Sequence, residues 1–226
     1  QAFAKYDATP RGAAEAYRLF CIGLIDALKD VVPAVKPQSA YFEILGSSGI
    51  AALEEICAYA REQGLYVIMD AKRGDIGTTC EAYAAAYLGG IAIGDQEYRP
   101  FDCDSVTVNG YLGTDGILPF VELCKQRDKS IFLLVRTSNP SSRELQNLIA
   151  GDRVVHTVLA DLARRAAAMF PDADIEIVEN APISNIQPSN PFRPLRRGLV
   201  GNDVAFIQLR LNRISTNYPA IPKIQP

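Results

Sequence analysis

A chain of 226 residues with 48% apolar and 22% charged side chains can bury a sizeable core, which excludes a disordered segment. No apolar run reaches the length that crosses a bilayer, and the first residues lack the basic, apolar, small-residue order of a secretory leader, so a cytoplasmic protein without a membrane partner is expected. A net charge of −3 argues against a general nucleic-acid binder while leaving room for a local basic pocket.

Residues 12–30 carry Ala16, Leu19, Phe20, Gly23, Leu24, Ala27 and Leu28 at helical spacing, and the run from Val31 to Val35 then reads as a short strand. The alternation repeats: a helix over about 48–63, a strand over 65–69, a helix over about 78–88, a strand over 105–108, a helix over about 116–126, a strand over 131–135 and a helix over about 152–169. Strands of this buried type separated by helices imply βαβ units and a parallel sheet. The loops that follow them, Lys36-Pro37-Gln38, residues 70–77, Asn109-Gly110-Tyr111 and Thr137-Ser138-Asn139-Pro140, would then gather on one rim. The expected fold class is therefore α/β, an incomplete (β/α)8 TIM barrel of about four βα units over residues 1–170.

Beyond it the texture changes. Residues 171–193 are rich in Pro, Asn and Ser, as an irregular linker would be. Helical periodicity returns over 202–214 through Val204, Ile207, Leu211 and Ile214, and the last residues contain Pro219, Pro222 and Pro226, which forbid a helix. Strand periodicity fades between about 163 and 174, where a joined reading frame would have its seam.

The five cysteines, Cys21, Cys57, Cys80, Cys103 and Cys124, are odd in number, scattered and mostly set among apolar residues, which suits free buried thiols. The single histidine, His156, has no nucleophile nearby in sequence and suits a structural or solvent-facing place. Zinc and a histidine-based triad are both disfavoured.

The chemistry concentrates at Asp70-Ala71-Lys72-Arg73-Gly74-Asp75-Ile76-Gly77, where an apolar strand runs into two carboxylates bracketing a lysine. Side chains two apart on a strand share a face, so Asp70 and Lys72 project together, while Gly74 lets the chain turn and present Asp75. Flanking carboxylates would keep the ammonium charged and fixed. Such an array can repel a substrate carboxylate, favour its loss as carbon dioxide, and stabilise the carbanion until the lysine protonates it.

Asp-x-Lys-x-x-Asp at a strand end resembles the signature of the orotidine 5'-monophosphate decarboxylase suprafamily. The longer string Asp-Ala-Lys-Arg-Gly-Asp-Ile-Gly-x-Thr, residues 70–79, narrows the resemblance to the decarboxylase family. Supporting strings are Ala34-Val35-Lys36-Pro37-Gln38, Val106-Thr107-Val108-Asn109 with Tyr111-Leu112-Gly113, and Thr137-Ser138-Asn139-Pro140-Ser141-Ser142, in the order of the longer bacterial branch. Together they cover about 12–165.

The resemblance implies a homodimeric barrel converting orotidine 5'-monophosphate to UMP and carbon dioxide with no metal or organic cofactor. Lys72 would be the proton donor and Asp70 would face the substrate carboxylate. Asp75, with Ile76 and Thr79, would reach into the partner subunit's site. Lys36 would contact the ribose, Ser138 the pyrimidine ring, and Asn109 would line the substrate, although Gly110 stands where the family more often has proline. The family's opening Gly-Leu-Asp-Pro strand and its phosphate-gripping glutamine loop and arginine have no counterpart here, so turnover is expected to be very weak or absent.

A second resemblance lies at the end of the chain. Gly198-Leu199-Val200-Gly201-Asn202-Asp203-Val204, followed by Leu209 and Asn212, looks like the opening of a peptidoglycan-binding repeat module over 194–226. It implies a peptidoglycan contact by the tail and, as an alternative function, a noncatalytic wall-binding protein. The other alternative is a related sugar-phosphate decarboxylase that uses the same array with magnesium.

Overall fold

The computed structural model describes residues 6–169 and the backbone of 174–176. Helix α1, Pro10–Leu28, starts where Thr9 accepts a hydrogen bond from the Gly12 amide at 3.1 Å and Pro10 pre-sets the first turn. It packs on α3 (Gly46–Glu62), reached through the short strand β1 (Ala34–Val35) and the single turn α2 (Ala40–Glu43). The chain continues as β2 (Tyr66–Arg73), α4 (Gly77–Leu88), the hairpin β3–β4 (Ile91–Ile93 and Gln96–Tyr98) and β5 (Ser105–Asn109). Then come α5 (Leu118–Arg127), β6 (Ser130–Leu134), α6 (Arg143–Gln146), the hairpin β7–β8 (Ile149–Ala150 and Arg153–Val154), α7 (Val155–Met169) and β9 (Asp174–Glu176).

Five strands form one parallel sheet in the order β1-β2-β5-β6-β9, each new strand added beside the last, as in a barrel unrolled. The period-two alternation sorts its two faces. Val67, Met69, Val106, Val108, Ile131 and Leu133 point to the helices and join the main core with Leu53, Ile56, Phe120, Val121 and Ala163. On the opposite face Ala34 and Ile68, with Tyr66 and Phe132 against them, make a smaller cluster. At the amino ends of the strands a buried ionic group closes the layer. Lys129 meets Asp102 at 3.0 Å, Arg61 meets the same carboxylate at 2.8 Å, and Asp104 accepts the Val67 amide at 2.9 Å.

The partial barrel agrees with the expected class, with three differences. The fifth sheet strand, β9, lies in the stretch read as linker and past the expected seam. Ile175 and Ile177 do alternate with acidic residues there, but Pro171 and the polar run after Val178 masked a signal that pairing with β6 makes good. Two hairpins were unforeseen, each turning at a Gly-Asp pair whose glycine has positive φ, +61° at Gly94 and +69° at Gly151. The second takes up 149–154, so α7 begins at Val155 rather than near 152. The expected tail helix over 202–214 and the module over 194–226 lie outside the described residues.

All five cysteines are free thiols, four of them buried, and burial beside Cys57 pushes Cys21 up to about 11. The Nδ1 of His156 donates to the Gln146 carbonyl at 2.9 Å, tying α7 to α6. No helix among the described residues is long and apolar enough to cross a membrane, and no acidic, histidine or cysteine cluster among them has the makings of a metal site.

Candidate active site

The carboxyl ends of the parallel strands carry the charged residues. β1 delivers Lys36 immediately beyond Val35, and β2 delivers Asp70 and Lys72 from its last turn of pleat. Asp70 is only 6% exposed, and its backbone is stitched to the β1 loop: its amide donates to the Pro37 carbonyl at 3.0 Å and its carbonyl accepts from the Ser39 amide at 3.2 Å. Its carboxylate lies between two ammonium groups. Lys36 Nζ donates to Oδ2 at 2.6 Å and Lys72 Nζ to Oδ1 at 2.5 Å. Burial pushes the Asp70 carboxyl upward, but hydrogen bonds and charge from Lys36 and then Lys72 outweigh it, so the net value falls below the ordinary one and the group stays ionised. Three alternating charges therefore meet at one point, with Lys72 the more exposed end.

The array differs from the one expected in its second flank. The sequence puts Lys72 between Asp70 and Asp75, whereas Asp70 sits between Lys36 and Lys72. No ion pair joins Asp75 to Lys72 among the described residues; Asp75 Oδ1 accepts the Ile76 amide at 2.8 Å. Gly74, expected to let the chain turn, is required by proximity. A Cβ there would lie 2.9 Å from the Asn109 carbonyl oxygen, so only glycine lets the loop pass the end of β5.

Ile76 and Thr79 are exposed at the start of α4, with Ile76 the N-cap position and 54% exposed. Asn109 ends β5, and its side chain is committed locally, accepting the Tyr111 amide at 3.0 Å to cap the 3-10 turn Gly110–Leu112. Ser138 is exposed in the loop after β6. That loop is pinned from α6 by Gln146, whose side chain accepts the Thr137 amide at 2.8 Å and donates to the Thr137 hydroxyl at 2.7 Å. Thus hydrogen bonds join Lys36, Asp70 and Lys72, while Asp75, Ile76, Thr79, Asn109 and Ser138 stand at the same strand ends with no hydrogen bond or ion pair to them among the described residues.

Two residues that sequence reasoning passed over hold the array. Thr107, between two core valines of β5, turns its hydroxyl to Asp70 at 3.2 Å. Arg73 anchors the strand end: its Nε donates to the Tyr87 hydroxyl at 3.1 Å, its guanidinium lies over the Tyr83 and Tyr87 rings, and it pairs with Glu43. Strand periodicity was a usable signal for Thr107, since it is the polar residue on the inner face one strand over from Asp70.

A parallel sheet with helices on its outer face and an alternating cation, carboxylate and cation at the strand carboxyl ends defines a partial β/α barrel with a charged candidate site. The model of the orotidine 5'-phosphate decarboxylase / HUMPS family matches residues 20–180, and the chain belongs to that family. The match runs past the expected seam. The chain is 44% identical over 161 residues to the orotidine 5'-phosphate decarboxylase of Rhodopirellula baltica, covering 71% of this chain and 52% of the relative. With that of Caldicellulosiruptor saccharolyticus it is 43% identical over 138 residues, covering 61% and 45%. It spans about half the length of the curated relatives it matches. Among solved structures, the Leishmania donovani OMP decarboxylase superposes with a TM-score of 0.63 at 31% identity, covering 76% of this chain and 63% of that one. The Leishmania donovani UMP synthase gives 0.60 at 32% identity, covering 74% and 34%.

Proposed function

We propose that this chain carries the charge-bearing half of an orotidine 5'-monophosphate decarboxylase site, releasing carbon dioxide and leaving UMP. The observation that carries the reading is the buried Asp70 carboxylate held by Lys36 and Lys72 at 2.6 and 2.5 Å. A substrate carboxylate placed against Asp70 is repelled in the ground state and loses that repulsion as carbon dioxide departs. The carbon–carbon bond breaks, its electron pair stays on the pyrimidine carbon, and the Lys72 ammonium stabilises that pair and then gives it a proton. Lys72, 48% exposed, regains the proton from solvent.

In the same reading Lys36 fixes Asp70 and reaches the ribose, Ser138 contacts the pyrimidine ring, and Asn109 lines the substrate. Asp75, Ile76 and Thr79 serve the site of a second copy in a homodimer. Two features support this last assignment: Asp75 makes no pair with its own Lys72, and Ile76 presents an apolar side chain on the surface beside it.

Release of carbon dioxide from carboxyl-labelled orotidine 5'-monophosphate tests the reading. The expected result is weak release, above the uncatalysed rate and unchanged by chelation with EDTA. No release, or release that requires added magnesium, would contradict it, the latter pointing to a sugar-phosphate substrate.

A further inference from the structure

Beside the charged array, β2 and β5 fall out of step. Met69 pairs with Val106 and Arg73 with Val108, so Asp70, Ala71 and Lys72 all stand opposite Thr107. Three residues against one is a bulge, and it leaves surplus amides without ladder partners. Both are met by one side chain: the Ala71 amide donates to Thr107 Oγ1 at 3.0 Å and the Lys72 amide at 2.8 Å. The hydroxyl's two lone pairs are then occupied, and its single proton faces Asp70 Oδ1 at 3.2 Å, the nearer acceptor, with the Met69 carbonyl at 3.4 Å. Lys72 itself has φ +50°, a left-handed conformation that a side-chain-bearing residue adopts only when its surroundings enforce it.

We propose that Thr107 is a positioning residue: its hydroxyl holds the bulge open and so sets where the Lys72 ammonium meets the Asp70 carboxylate. Without it, β2 has no reason to keep three residues against one. The natural relaxation would return Lys72 to a right-handed or extended backbone and swing its ammonium off Oδ1. The consequence for turnover rests on the decarboxylase reading; the consequence for geometry does not. Valine matches threonine in shape but accepts no hydrogen bond, and serine keeps the hydroxyl.

The test compares the full chain with its T107V and T107S variants by NMR, reading amide exchange at Ala71 and Lys72 and the titration of the Asp70 carboxyl. In T107V both amides are expected to exchange about tenfold faster or more relative to Val67 and Ile68, and Asp70 is expected to titrate at higher pH. T107S is expected to restore both. A T107V protein with unchanged protection and titration would overturn the proposal, as would failure of T107S to restore them. If T107V does not fold, the unsubstituted chain still decides. Slow exchange at Ala71 and Lys72 supports the proposal, and exchange at the rate of an open peptide overturns it. Failure of the decarboxylase reading would appear separately, as no carbon dioxide from a chain whose exchange pattern is intact.

Discussion

Arg73 grips Tyr87 twice, donating Nε–H to the phenol oxygen at 3.1 Å while its guanidinium lies 5.8 Å from the ring centroid. The residue next to Lys72 is thereby fastened to α4, and through Glu43 to α2. The end of β2 is thus held from outside the sheet by Arg73 and from inside it by Thr107. A fork-shaped, planar cation suits this place, and a lysine cannot reproduce both contacts. R73K is expected to lower stability by about 1–2 kcal/mol, read by urea denaturation, and Y87F by about 1 kcal/mol because the ring contact survives. Equal stability of R73K and the parent chain would contradict the clamp.

Gly74 passes the end of β5 with no room for a methyl group, since its Cβ would sit 2.9 Å from the Asn109 oxygen and 3.4 Å from Asn109 Cβ. G74A is expected to cost about 1–3 kcal/mol in urea or thermal unfolding and to shift the amide resonances of Asn109 and Tyr111, whose cap it disturbs. G23A is the control, because nothing lies within 4 Å of its added Cβ.

The Asp70 carboxyl, held below its ordinary value chiefly by Lys36 and Lys72 against the opposing pull of burial, gives stability a pH dependence of known sign. An acid whose folded value is depressed contributes stability that is fully present above its unfolded value, about 4, and that is lost as pH falls through the folded value. The stability difference between the parent chain and D70N is therefore expected to stay level from neutral pH down to about 4 and to shift against the parent chain below that. Urea midpoints measured along an acid series check this, and a difference that does not change with pH would contradict it.

If Asp75 serves a neighbouring copy, two inactive variants should complement each other. Mixing K72A with D75N chains is expected to restore about a quarter of the parent rate, since half the dimers are mixed and each of those has one complete site. A mixture as inactive as its components would contradict the shared site and place Asp75 in its own subunit's chemistry.

Much of this site was legible as sequence because its chemistry sits in one strand. Asp70 and Lys72 are two apart, and period two puts them on one face, although their contact also needs the bulge and the left-handed Lys72 backbone. Lys36 was legible as a strand-end cation, yet its pairing with Asp70 depends on β1 lying beside β2, a contact between residues 34 apart that no local pattern encodes. For the same reason Asp75 read as a flank of Lys72: counting residues cannot show that the chain turns its carboxylate to the Ile76 amide. The bulge was invisible because it is a disagreement between two strands, and β9 was hidden because its three residues gain strand character only from β6.

In the proposed reaction an ammonium held against a buried carboxylate protonates the carbon that carbon dioxide leaves, and trapping labelled carbon dioxide from orotidine 5'-monophosphate with the parent chain, K72A and D70N checks that step. Release by the parent chain that falls at least about a hundredfold in both variants is the expected result. Release that persists undiminished without the Lys72 ammonium would contradict it.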